Sequence, residues 1–181
     1  LVVDATLGGA GHAIALLGAY PQMELLGIDR DPRAVESATE VLASYEGRAT
    51  VRRARFDGIG PIVFEHLGAV AGDPRAQVSG VLFDLGVSSP QLDTTDRGFS
   101  YRRDAPLDMR MDPSSGRTAA DIVNESAEDT LVDLFTQNGE GRFARRIARA
   151  IIAARPIETT GQLADVVRTA IPAATRRTGG H

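Results

Sequence analysis

Short apolar runs that end abruptly in an acid recur along the first half of this chain. Leu1-Val2-Val3 runs into Asp4, Leu25-Leu26-Gly27-Ile28 into Asp29, and Val81-Leu82-Phe83 into Asp84. Continuous apolar runs of this length predict buried parallel strands lying between helices. A carboxylate where such a strand emerges marks a ligand-facing sheet edge. Helical stretches separate the runs, from His12 to about Leu17, from Asp31-Pro32 through Tyr45, and from about Ile62 to Leu67. Asp31 supplies an N-cap there and Pro32 a first-turn proline. Thr50-Val51-Arg52-Arg53-Ala54 reads as a less apolar strand nearer an edge. A polar loop at Gly72-Asp73-Pro74-Arg75 precedes the last strand. Strands alternating with helices predict an α/β fold built on a parallel, right-handed, doubly wound sheet.

Beyond Ser89 the pattern changes. Residues 90–117 form a long polar segment punctuated by Pro90, Gly98, Pro106, Pro113 and Gly116. Loops of this length in a compact domain are functional or disordered. Phe99, Tyr101, Met109 and Met111 within it predict an ordered, partly buried loop. Only helices follow, at about 118–124, 128–137, 142–155 and 160–171. Thr118 with Asp121, and Thr159 with Gln162, have the spacing of capping boxes. The expected organisation is a sheet domain over residues 1–106 and a small helical domain over 107–181.

Composition narrows the picture. The chain has 181 residues, enough for a real core, and a net charge of −4 that gives no global nucleic-acid signal. Cysteine is absent, which removes disulfides, thiolate zinc sites and cysteine nucleophiles and suits a cytosolic setting. No apolar run approaches the roughly 20 residues of a membrane span. All 20 basic residues are Arg, which a coding bias explains as well as function does. The chain starts inside a strand without Met and ends at Thr178-Gly179-Gly180-His181, so it reads as a piece of a longer protein, truncated at both ends.

The glycines after the first strand, Gly8-Gly9-Ala10-Gly11, allow backbone to approach a ligand closely. The dinucleotide fingerprint G-x-G-x-x-G fails, because the position after Gly9 and Gly11 that should be Gly is Ile14. The surviving pattern is D-x-T-x-G-G-x-G with an acid after the second strand, which suits S-adenosylmethionine better. Asp29 lies 18 residues beyond Gly11, where an acid accepts ribose hydroxyls. Asp29 could instead cap the next helix, though Asp31 is better placed for that. Phe56-Asp57 sits where an adenine is commonly held, and Phe56 fits plain core equally well. His12 fits a contact to the cofactor carboxylate or a simple helix start.

Together these pieces resemble the bacterial RsmH (MraW) family, whose members methylate N4 of a cytidine in small-subunit ribosomal RNA. The matching segments are Asp4 to His12, Gly27 to Pro32, Leu82 to Asp93, Arg97-Gly98-Phe99-Ser100, and Pro106 to Asp112. Gly139-Glu140 and Arg145-Arg146-Ile147-Ala148 also fit. The resemblance implies a Rossmann-like class I methyltransferase sheet with an inserted helical domain. It implies an S-adenosylmethionine site made by Ala10, Gly11, His12, Asp29, Phe56, Asp84 and Gln91, and a cytoplasmic enzyme acting on ribosomal RNA or the assembled small subunit. Ala10 stands where the family usually has Gly, so its methyl group is expected to crowd the cofactor slightly. The family's chain also continues past the helices and returns to complete the sheet.

The amine of cytosine is a poor nucleophile, because its lone pair is delocalised into the ring. A hydrogen-bond acceptor at the amine, able to take a proton afterwards, would help it. Asp84, with Ser88 and Ser89 after it, occupies the exit of the fourth strand, where such acceptors stand; the lesser alternative is a carboxylate holding its own loop through backbone N–H groups. Asp108, Asp112 and Arg110 read as an internal ion-pair network rather than a metal site. Arg142, Arg145, Arg146 and Arg149 share one face of a helix at i, i+3, i+4, i+7 spacing. From residue 141 onward eight Arg stand against two acids, so this stripe could bind RNA phosphates or be a solvated face paired with Glu128, Asp129 and Asp133. The rival functions are a nicotinamide-dependent oxidoreductase and a fragment that binds cofactor or RNA without turnover.

Overall fold

The computed structural model describes residues 1–68 and 77–172, which form two compact units. The polar loop expected at Gly72–Arg75 and the last two arginines, Arg176 and Arg177, lie outside the described residues. One unit comprises Leu1–Ser88 with Met111–Pro113, the other Ser89–Arg110 with Ser114 onward.

The first unit is the parallel sheet. Strands β1 (Val2–Asp4), β2 (Leu25–Asp29), β3 (Ala49–Arg53) and β4 (Gly80–Leu82) lie in the order β3-β2-β1-β4. Val2 pairs with Leu25 and with Gly80, and Asp4 with Gly27 and with Leu82, so the acids of β1 and β2 emerge at one edge. Helices α1 (Gly11–Ala19), α2 (Pro32–Leu42) and α3 (Ile59–Leu67) connect the strands. The strand pleat sends successive residues to opposite faces. Leu25 packs with Leu7, Ala13, Leu17, Ala38 and Leu42 on the α1 and α2 side. Leu26 and Ile28 join Val3 with Ile59, Ile62 and Val63 on the α3 side. Helices on both faces are what a doubly wound sheet requires. Gly27 has its own reason: a Cβ there would lie 2.6 Å from the Leu7 side chain.

The Asp31 cap is formed, its carboxylate accepting the Arg33 N–H. The helix it starts gives way to a 3-10 turn at Ala43–Tyr45. The fourth strand departs from expectation. Among the described residues β4 pairs with β1 alone, and Val81 and Phe83 are 48% and 47% exposed. An edge strand has a neighbour on one side only, so its apolar run is uncovered where a central strand's would be buried. Phe83 and Asp84 lie past its end.

The second unit is helical, with α4 (Ser89–Asp93), α5 (Ala119–Glu125), α6 (Glu128–Gln137), α7 (Ala144–Ala154) and α8 (Thr160–Ala170). Leu107, Val123, Leu131, Ile147, Ile151 and Ile157 form its core. Both capping boxes are present, Thr118 with Asp121 and Thr159 with Gln162. The unit takes in residues 89–106, which the sequence pattern assigns to the sheet domain. The reason is hydrogen bonding: the Thr160 N–H donates to Ala105 O, Leu107 N–H to Glu158 O, and Ala119 N–H to Asp108 O. The 90–117 segment is partly buried, as expected: Phe99 and Met111 are half-buried, whereas Tyr101 and Met109 are 69% and 45% exposed. Arg97, Ala105 and Leu107 are buried there instead.

Candidate functional site

The β1-to-α1 loop is built from both of its neighbours. Gly8 has φ +50 and Ala10 φ +62, the left-handed region that disfavours side chains. Ala10 nevertheless belongs here, because its methyl is fully buried against Leu7, Ala13 and Leu17. That corrects the expectation of crowding: the methyl is part of the core. Gly9 and Gly11 are different, since a Cβ on either would meet nothing within 4 Å. Protein packing does not require glycine at these two positions, and the open space beside them is what a close-lying ligand needs.

Asp29, at the end of β2, ties this loop down. Its Oδ2 accepts the Gly8 N–H at 2.8 Å and its Oδ1 the Asp31 N–H at 2.9 Å. Each carboxylate oxygen has a second lone pair, so Asp29 can still accept two hydroxyls. Helix capping falls to Asp31.

Asp4, at the end of β1, is 1% exposed. Its Oδ1 accepts the Thr6 N–H at 3.1 Å, while Oδ2 is buried with no hydrogen-bond partner among the described residues. Burial pushes its carboxyl above the ordinary value; the Thr6 N–H and the charge of His12 pull against this. Thr6 in turn accepts the Asp84 backbone N–H on its hydroxyl at 2.7 Å. Asp4, Thr6 and Asp84 thus form one chain of contacts from β1 to the loop after β4. His12 Nδ1 stands 3.9 Å from Asp84 Oδ2, and both side chains are more than half exposed. Ser88, four residues on in the same loop, is half-buried.

Phe56 follows β3 and is 43% exposed, outside the core clusters. It meets Phe83 edge-to-face, with ring centroids 5.7 Å apart at 87°. Asp57 beside it is bound to Arg55, whose guanidinium holds the carboxyl below the usual range. Thr6 and Phe83 are the site residues that spacing alone did not single out. Thr6 carried a faint signal as the fixed hydroxyl of D-x-T.

The donor set fits S-adenosylmethionine: a diol acceptor at Asp29, an exposed ring at Phe56, room at Gly9 and Gly11, and acids suited to a cationic ligand at Asp4 and Asp84. Gln91 lies on α4 of the helical unit and is 8% exposed.

The arginine stripe is rearranged. α7 begins at Ala144, so Arg142 precedes the helix and stacks on Phe143, its guanidinium carbon 5.0 Å from the ring centroid. Phe143 takes the N-cap position, which ends the helix short of the expected start. Arg145 and Arg149 both reach Glu128, at 3.3 and 2.9 Å, and Arg145 also reaches Asp129. The acid network is as expected: Arg110 holds Asp108 and Arg53 holds Asp112.

A parallel β3-β2-β1-β4 sheet with a glycine loop after β1 and a loop-clasping acid after β2 defines a Rossmann-like α/β protein with its site at the sheet's C-terminal edge. The chain belongs to the MraW methylase family, whose model matches residues 1–181. It is similar to proteins named ribosomal RNA small subunit methyltransferase H. That of Thermobifida fusca (strain YX) is 53% identical over 184 residues, covering 100% of this chain and 54% of the relative. That of Frankia casuarinae is 52% identical over 185 residues, covering 100% of this chain and 56% of the relative. That of Mycobacterium sp. (strain KMS) is 51% identical over 181 residues, covering 100% and 47%. The chain spans about half the length of these relatives. Among the described residues no helix is long and apolar enough to cross a membrane.

Proposed function

We propose that the protein containing this chain transfers a methyl group from S-adenosylmethionine to N4 of a cytidine in small-subunit ribosomal RNA, in the cytoplasm. The observation that carries the reading is the Asp29 clasp on a glycine loop with open space at Gly9 and Gly11, in a chain of the MraW methylase family.

The cofactor supplies an electrophilic methyl on a sulfonium; everything else is asked of the chain. Asp29 accepts the ribose hydroxyls, and Phe56, braced by Phe83, packs the adenine. The Gly11-His12 turn receives the amino-acid end. Methyl transfer is an in-line displacement, so placement of donor and acceptor supplies much of the rate. Asp84 accepts a hydrogen of the cytosine amine and draws the nitrogen toward tetrahedral geometry. It takes the proton released as the nitrogen–carbon bond forms and the carbon–sulfur bond breaks. Thr6 holds the Asp84 backbone, and Ser88 offers a second acceptor. Of the basic stripe, Arg142 and Arg146 meet RNA phosphates; Arg145 and Arg149 are neutralised by Glu128 and Asp129.

The test is calorimetric titration of the chain with S-adenosylmethionine, with NAD in parallel. Saturable binding of the first near micromolar, about −8 kcal/mol, supports the reading. Binding of NAD alone would overturn it.

A further inference from the structure

The helical unit holds a cavity of about 710 Å³ between α4 and the 99–103 loop, within the size range of small-ligand sites. Its walls combine two aromatic rings, two cations and several acceptors. Tyr101 is 69% exposed, an expensive place for a ring with nothing on its face. Arg102 and Arg103 are exposed, and neither has an ion-pair partner among the described residues, whereas Arg53, Arg110, Arg117 and Arg145 each hold a carboxylate. Asp93 and the Thr95 hydroxyl also line the space.

The wall is held in place by the protein itself. Arg97 is 6% exposed; its Nη2 donates to Arg110 O at 3.0 Å, and its guanidinium lies over the Phe99 ring. Gly98 has φ +69, and a Cβ there would sit 2.5 Å from Pro106 O. At the far end the Thr160 hydroxyl donates to Arg103 O and the Gly161 N–H to Asp104. A loop tied at both ends loses little further freedom when a ligand arrives.

An exposed ring beside two unpaired guanidiniums fits one unstacked base with its phosphate. Asp93 would repel a phosphate but accepts a 2′-hydroxyl or a base amine, which favours RNA over DNA. A duplex does not fit, because its bases stay stacked inside the helix. We propose that this cavity seats an unpaired nucleotide of the substrate RNA, its base on Tyr101 and its phosphate at Arg102 and Arg103. The assignment rests on the ribosomal RNA reading above.

The test measures fluorescence anisotropy of a labelled, cytidine-containing, short single-stranded RNA with the 181-residue chain across a salt series. S-adenosylmethionine binding by the same samples shows that each variant is folded. Arg102→Gln with Arg103→Gln is expected to weaken RNA binding about tenfold and reduce the salt slope by about 0.7, one single-strand phosphate's worth. Tyr101→Ala is expected to weaken it about tenfold at unchanged slope, and Tyr101→Phe to stay within about twofold, since stacking needs only the ring. If the unaltered chain binds RNA and all variants match it, the cavity assignment is overturned while the ribosomal RNA reading stands. If the unaltered chain binds S-adenosylmethionine but no RNA, the cavity is not an RNA site; methylation of ribosomal RNA by the whole protein then judges the wider reading separately.

Discussion

The Thr6 hydroxyl accepts the backbone N–H of Asp84 at 2.7 Å, joining the loops that leave β1 and β4. The residue proposed to take the substrate proton is therefore positioned by a side chain 78 residues earlier, itself fixed by the buried Asp4. Thr6→Val keeps the shape and removes the acceptor. It should cost about 1 kcal/mol of stability and lower kcat for methyl transfer, with the KM for S-adenosylmethionine little changed. Thr6→Ser should restore kcat. Equal kcat in all three forms would remove Thr6 from the mechanism.

Asp29 is the loop clasp and, in the proposed function, also the diol acceptor. Asp29→Ala should weaken S-adenosylmethionine binding about 100-fold, in line with loss of hydrogen bonds to a charged group. It should also lower the unfolding temperature, because the Gly8 and Asp31 N–H groups lose their acceptor. Asp29→Asn should fall between. Calorimetry and thermal unfolding on the same samples separate the two duties.

Asp84→Ala leaves the β4 loop tied through its backbone, so folding should change little. Methylation should be abolished. An unchanged rate in a single-turnover assay would assign the proton to another group.

Acid titration should act on Asp4 and on the carboxylates of the helical unit with opposite signs. Burial raises the Asp4 carboxyl above 3.8, so the folded state holds its proton more tightly than the unfolded chain does. Its contribution is full below 3.8 and is lost as pH rises through the folded value. Asp4→Asn should accordingly be more stable than the parent at about pH 7, and the gain should vanish toward about pH 4. Asp108 is lowered by Arg110, Asp121 by Thr118 and Asp104 by Thr159. Their stabilisation is present above 3.8 and lost as pH falls through their folded values. Thermal unfolding of the parent and Asp4→Asn across pH checks both signs.

Arg145 and Arg149 spend their charge on Glu128. Their joint replacement by Gln should change RNA affinity by less than about twofold and stability by at most about 1 kcal/mol, as for exposed ion pairs. Arg142→Gln with Arg146→Gln should lower the salt slope. The reverse order would return the RNA contact to Arg145 and Arg149.

Much of this was legible before any coordinates. Strand ends at Asp4 and Asp29, the Asp31-Pro32 helix start and both capping boxes follow from local rules that tertiary structure left intact. What escaped depended on partners distant in sequence. The exposure of Val81 and Phe83 reflects an edge that an apolar run cannot announce. The Thr6 to Asp84 bond spans two loops, and no spacing rule connects them. The burial of the Ala10 methyl depends on Leu7 and Leu17 being beneath it, and the charge of the α7 stripe on Glu128 one helix away. Residues 89–106 joined the helices through backbone bonds to Glu158 and Thr160, which no composition shift records.

The most direct test of the central claim is nucleoside mass spectrometry of small ribosomal subunits incubated with the whole protein and S-adenosylmethionine. The account predicts N4-methylcytidine with the parent and none with Asp84→Ala. A methyl group on another atom or base, or no methylation by a protein that binds the cofactor, would contradict it.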